Sequence, residues 1–228
     1  MISTWCVPPQ TVLGQVVCDD RVSEIASMLK LLEMLELLHA SATADAMHRQ
    51  DAPARKIIDG GGNYLLQVKN DRPVLHENLQ LLFGRGLAND CQGAAQEVAQ
   101  DMGAGHGRIS IRRCWCSSEA AAVAPDNDWP RFRTTACIEP VRQAGQEKTS
   151  LQRHYDLSSH VGEAEHFLVL TGGRWGVENQ LHWLMGVVFG EDSRLICKDH
   201  AAVNYARLSR IALDLFKTDI NVKASIRT

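Results

Sequence analysis

Two hydrophobic periods alternate along the first third of the chain, and that alternation limits the fold more than any other feature. Residues 12–18 (VLGQVVC) are a Val-rich run ending at Asp19-Asp20, the pattern of a strand. From Ser23 to His39, Ile25, Met28, Leu29, Leu32 and Leu35 recur at helical spacing with Lys30, Glu33 and Glu36 between them, which predicts an amphipathic helix. A short strand is expected over 42–46 and a helix over 52–59, stopped by Gly60-Gly61-Gly62. A strand over 64–68 and a helix from Pro73 to about Phe83 follow. Strands alternating with helices ask for a sheet covered by helices.

Farther along, the pattern changes. Residues 84–106 are rich in Gly, Ala and Gln and predict a short helix between loops. Gly103-Ala104-Gly105-His106-Gly107 has the look of a phosphate loop, but it precedes a strand where a dinucleotide fingerprint must open a helix, so it reads as a turn. Strands are expected over 107–116, 133–139 and 151–157, with a loop over 117–130. Helices are expected from Gly173 to Met185 and from Ala201 to Phe216. The expectation is a mixed α/β domain over 1–217, a β-rich insertion at about 104–157 before the C-terminal helices, and a polar tail over 218–228. A chain of 228 residues suits one such domain, and 45% hydrophobic residues exclude intrinsic disorder.

No apolar run reaches the roughly 18 residues of a membrane span, and MISTWCVPPQ lacks a signal-peptide pattern, so a soluble, cytoplasmic protein without a membrane partner is expected. Seven scattered cysteines do not suggest a disulfide framework. Cys114-Trp115-Cys116 reads as two neighbours on one face of a strand rather than half a zinc site. The net charge of −3 argues against a polyanion partner, yet the charge is uneven. Residues 104–153 carry 8 basic and 5 acidic side chains, and 194–228 carry 7 and 3, beside two acidic stretches. A metal-dependent enzyme acting on phosphates suits that layout, as does ordinary surface variation.

Asp45 ends a short strand, where ligand-facing side chains emerge in α/β sheets, although an Asp there also serves as a helix cap. Glu178 lies on a helix in RWGVENQLHW. Val177, Leu181 and Leu184 share one face, and Glu178, His182 and Met185 the adjacent stripe, so Glu178 and His182 are expected to point at one site. An exposed Glu beside a hydrogen-bonded His fits that spacing equally well. Trp175 and Trp183 read as packing residues.

These residues carry a resemblance. The sequence resembles the H-repeat-associated, ISAs-type insertion-sequence transposases, a DDE class with an RNase H-like fold. Thr43-Ala44-Asp45-Ala46-Met47 stands where that family has T-I-D-A-M, and the segment from Gly61 through Tyr64 and Lys69 to Arg72 where it has G-G-D-Y-x-L-x-L-K-G-N-Q. His106-Gly107-Arg108-Ile109-Ser110-Ile111-Arg112-Arg113 matches H-G-R-I-E-x-R-R. The run from Arg174 through Glu178, Asn179 and His182 to Asp192 matches H-W-x-I-E-N-x-L-H-W-x-L-D-V-x-F-x-E-D. The resemblance covers about residues 10–217 in family order.

What it implies is DNA transposition by phosphoryl transfer, with three carboxylates holding Mg²⁺ or Mn²⁺, hard cations that prefer oxygen ligands. Asp45 becomes the second carboxylate and Glu178 the third, with Asn179 and His182 beside it. Arg108, Arg112, Arg113, Arg174 and Lys69 become contacts to the backbone of insertion-sequence DNA. The departures are equally specific. The family's first Asp belongs to a D-G-K motif on a first strand upstream of the stretch matching residues 1–20, so the sheet is expected to lack its first strand. Gly186 stands where the signature has Asp, and Ser110 where H-G-R-I-E-x-R-R has Glu. Two carboxylates neutralise two dications incompletely, so impaired metal binding and a decayed, inactive fragment are expected; Asp19 and Asp192 are the candidate substitutes, with nothing in the sequence placing either near Asp45. The rival readings are a non-catalytic DNA-binding or interaction module, joining an intact transposase in an oligomer and inhibiting it, and a nuclease with a substitute ligand.

Overall fold

The Val-rich run is the second arm of a hairpin. β1 (Ile2–Cys6) pairs antiparallel with β2 (Thr11–Val16), with a bulge between Thr4 and Trp5. The computed structural model describes residues 2–8, 10–18, 23–44, 51–69, 72–88, 96–105, 108–119, 129–144, 147–150, 152–195 and 198–218. The chain divides into two compact units, residues 1–35 with 173–228, and residues 36–172.

In the first unit, α1 (Glu24–Glu33) starts at Ser23, whose side chain accepts from the Ala26 N–H. Leu31 lies against Gly14 of β2, where a Cβ would come within 3.2 Å of its Cδ1, a close approach of helix and hairpin. α1 is shorter than the expected 23–39. Leu37 is buried against Gly60 and its carbonyl accepts from the Ala40 N–H, a turn that ends the helical register well before His39. Later in the chain come two π-helical segments, Val177–His182 and Leu184–Val188, a 3₁₀ turn, Glu191–Ser193, and α5 (Ala201–Thr218). The core of this unit joins Leu181, Met185 and Leu213, with Trp5, Val12, Val177, Leu184 and Phe189 packed on it. Asp214 fixes α5 to the hairpin by accepting from the Val12 N–H at 2.9 Å.

The second unit is a seven-stranded mixed sheet. β3 (Ser41–Ala44) is parallel to β4 (Asn63–Val68), with α2 (Ala52–Asp59) as the crossover. The three glycines after α2 behave as read. The Gly62 N–H donates to the Ile57 carbonyl and the Gly61 N–H to that of Ile58, with Gly61 at φ +80, a left-handed helix stop. α3 (Pro73–Ala88) follows β4. β5 (Gln96–Gly105), β6 (Arg108–Ser117), β7 (Thr134–Ala144), β8 (Glu147–Ser150) and β9 (His154–Ser158) are antiparallel to their neighbours. The strand order is β3-β4-β9-β7-β6-β5, and β8 pairs with β7 off that path. The strands of the expected insertion thus extend the same sheet as β3 and β4.

Within 84–106, residues 84–88 and 96–105 differ from the expectation, and 89–95 lie outside the described residues. α3 continues through Gly84 and Gly86 to Ala88, and 96–105 is a ten-residue strand rather than part of a helix between loops. QEVAQDMGAG has little strand propensity of its own; a full ladder to β6, from Gln96↔Ser117 to Gly105↔Arg108, makes it one. Gly103–Gly105 therefore pair in β5, and His106 and Gly107 lie outside the described residues. Helices cover both sheet faces. Phe83 and His76 of α3 pack on Tyr155, at 6.0 and 5.2 Å between ring centroids. The opposite face, with Cys114 and Cys116 buried side by side on β6 as read, meets α4 (Ala164–Gly176). There the Arg112 guanidinium reaches the backbone at Gly172, and the Cys116 thiol the Gly162 carbonyl. α4 begins nine residues before the expected Gly173 start, burying Ala164, Phe167, Leu168 and Thr171.

Candidate functional site

β3 is four residues long and ends at Ala44, opposite Leu66 of the parallel strand β4. Asp45, the next residue, lies outside the described residues, as does Asp19. At the other end of β3, the Ser41 hydroxyl is 2.9 Å from His160 Nε2. The His160 ring meets His166 edge-on at 4.7 Å, and burial, then the neighbouring His166, holds its pKa below the usual imidazole range.

Glu178 and Asn179 fall in the π-helical segment Val177–His182, and their side chains lie outside the described residues, as does that of Asp192. π-helical turns are rare in helices and frequent at functional sites. The neighbouring side chains correct the expected stripe. Met185 is buried beside Leu181 in the core, whereas His182 is exposed, so these two do not share a face. Arg174 and Trp175 are half-buried at the end of α4, and Trp183 is exposed.

The segment after the π-helical turns is clasped to α5. The Phe189 carbonyl accepts from the Tyr205 hydroxyl at 2.6 Å and from Arg194 Nε at 3.3 Å, and the Arg194 guanidinium lies 4.5 Å from the Tyr205 ring centroid. Arg210, buried on α5, donates from Nη1 to Glu191 Oε1 and to the Ala206 carbonyl, both at 3.0 Å. A cavity of about 230 Å³ lies beside this clasp, between Val17, Glu191, Arg194 and Tyr205.

The basic residues separate by strand geometry. Arg112 and Arg113 are consecutive on β6 and so point to opposite faces. Arg112 lies against α4 at Gly172, and Arg113 sits directly across from Glu139 of β7. Glu139 is buried, and its carboxylate takes Arg113 Nη1 at 3.7 Å and Arg153 Nη2 at 3.1 Å. Sequence reading missed Arg153, since only the register brings it to Arg113; its one signal was the basic balance of 104–153. Beside this group Cys137 has its thiol pushed up to about 12 by burial, with Arg153 lowering it and Glu139 and Asp156 raising it. Lys69 is exposed after β4, and the Arg108 side chain lies outside the described residues.

The hard oxygen donors of two carboxylates suit Mg²⁺ or Mn²⁺ in kind. Among the described residues no three His, Cys, Asp or Glu side chains group as a metal site, and neither Asp45 nor the Glu178 side chain is among them. No helix of the described residues is long and apolar enough to cross a membrane.

The chain is 29% identical over 231 residues to the H repeat-associated putative transposase YhhI of Escherichia coli, covering all of this chain and 60% of that protein. It is 27% identical over 233 residues to the putative transposase YncI of Escherichia coli, covering all of this chain and 58% of that protein. A protein of Xanthobacter autotrophicus, described as an uncharacterized protein in the dhlA 3′ region, is 28% identical over 163 residues, which is 72% of this chain and 54% of its own. The chain thus spans about 60% of the length of the first of these relatives, and no solved structure matches it. Residues 7–215 match the Transposase DDE domain, and the chain belongs to that family.

Proposed function

We propose that this chain is the greater part of a DDE transposase core that binds insertion-sequence DNA and supports phosphoryl transfer on it, with Asp45 and Glu178 as the second and third carboxylates. The observation that carries the reading is the family match over residues 7–215, which takes in both positions. The fold we assign is RNase H-like. In chain order an antiparallel hairpin, α1, β3, the crossover α2 and the parallel strand β4 are what such a core has after its first strand.

Asp45 and Glu178 would hold the divalent cations, and Asn179 and His182 flank Glu178. Bound there, Mg²⁺ or Mn²⁺ supplies activation of the attacking oxygen and charge stabilisation of the leaving one. Lys69, Arg108, Arg113 and Arg174 neutralise backbone phosphate without reading sequence. Arg112, directed at α4, is the weakest of the basic candidates for that role. The family's first Asp has no counterpart in these 228 residues, so the chain alone is expected to bind metal weakly and to have little or no strand-transfer activity. The second reading, a non-catalytic DNA-binding module that joins an intact transposase, is favoured by the basic pair on Glu139.

Titration calorimetry with Mn²⁺ tests the assignment. Wild type is expected to show weak binding that both Asp45→Ala and Glu178→Ala abolish. Binding unchanged in both variants removes these carboxylates from the site. Metal-dependent cleavage of terminal-repeat DNA by the wild-type chain, lost in Asp45→Ala, refutes the inactivity.

A further inference from the structure

We propose that Arg113 and Arg153, held on the buried carboxylate of Glu139, form a clamp for a DNA backbone phosphate; this rests on the DNA-binding reading above. Arg153 approaches Glu139 Oε1 with both Nε, at 3.2 Å, and Nη2, at 3.1 Å. Arg113 Nη1 stands 3.7 Å from Oε2, an ion-pair distance beyond hydrogen-bond reach, so its donors are not committed to that carboxylate. One carboxylate between two guanidinium groups leaves a net positive charge. Both arginine side chains are about two-fifths exposed while that of Glu139 is only 9% exposed, so the anion sits beneath and the cations face solvent.

Geometry makes the pair more than a cross-strand ion pair. Arg113 and Glu139 are direct partners in the β6–β7 ladder, and Arg153 precedes β9, whose Tyr155 pairs with Cys137 two residues before Glu139. Three adjacent strands therefore set the two head groups, which lowers the ordering cost that a phosphate contact otherwise carries. Planar guanidinium forks match phosphate oxygens in shape as well as charge. Arg112, one residue away, is turned to the opposite face and takes no part.

The test is fluorescence anisotropy of the full chain with a short duplex of arbitrary sequence, titrated between ~50 and ~200 mM salt. Arg113→Gln and Arg153→Gln are each expected to weaken binding and to reduce the slope of log K against log salt by about 0.9. Arg153→Lys keeps most of the slope. Arg55→Gln, which removes an exposed charge on α2, leaves the slope unchanged. Equal slopes in wild type, Arg113→Gln and Arg153→Gln overturn the clamp while DNA binding stands. No retention of wild type at low salt overturns the DNA-binding reading and the clamp with it.

Discussion

Glu191→Ala removes the partner of the most buried arginine described in the clasp. The Arg210 side chain is 8% exposed and that of Glu191 23%, with 3.0 Å between Nη1 and Oε1. Arg210 Nε is buried without a hydrogen-bond partner among the described residues, so little else compensates the charge. Breaking a buried pair by deleting one member costs about 3–5 kcal/mol, because the survivor keeps its desolvation penalty. Here the bond to the Ala206 carbonyl survives and Glu191 is partly solvated, so the low end applies, about 3 kcal/mol. Replacing both members tells the origin of that loss. Arg210→Met combined with Glu191→Ala removes the stranded charge and is expected to recover about 2 kcal/mol of it, a coupling of the size seen for contacting residues. Urea unfolding of the four proteins, followed by far-ultraviolet circular dichroism, gives the cycle. A loss below about 0.5 kcal/mol for Glu191→Ala, or strict additivity in the double variant, refutes the account of a desolvated pair.

Two further perturbations test the fold itself. Gly61→Ala is expected to destabilise by about 1–2 kcal/mol in the same urea assay, because φ +80 disfavours a Cβ and the new carbon would come within 2.8 Å of Leu38 Cδ1; an unchanged midpoint refutes the glycine stop. His160 has a folded pKa below its ordinary 6.5, so the unfolded chain binds more protons in the window beneath that value. Its contribution to stability is therefore present above pH 6.5 and lost as pH falls through the folded pKa. Melting temperatures across that window should fall less steeply with acid in His160→Gln than in wild type, and parallel profiles contradict the assignment.

Much of the α/β half was legible because its signals are local. The helix at 52–59, the three glycines and the strand at 64–68 agree with each other within a few residues, and the structure has α2, the turn and β4 within a residue of where they were read. β5 was not legible, because QEVAQDMGAG becomes a strand only through its ladder to β6. The same holds for the end of α1, set by Leu37 packing on Gly60 from a later element.

The candidate site divides along that line. Sequence alone determined the family, since motif residues around Asp45, Tyr64, Arg108 and Glu178 occur in order along the chain. Only tertiary structure decided that Arg112 and Arg113, adjacent in the chain, serve opposite faces of the sheet, and that Arg113 shares Glu139 with Arg153. It also decided that Met185 joins the core while His182 stays exposed. The physical reason is that facing and pairing are set by strand register and burial. Those depend on contacts between residues far apart in the chain, which no local pattern encodes.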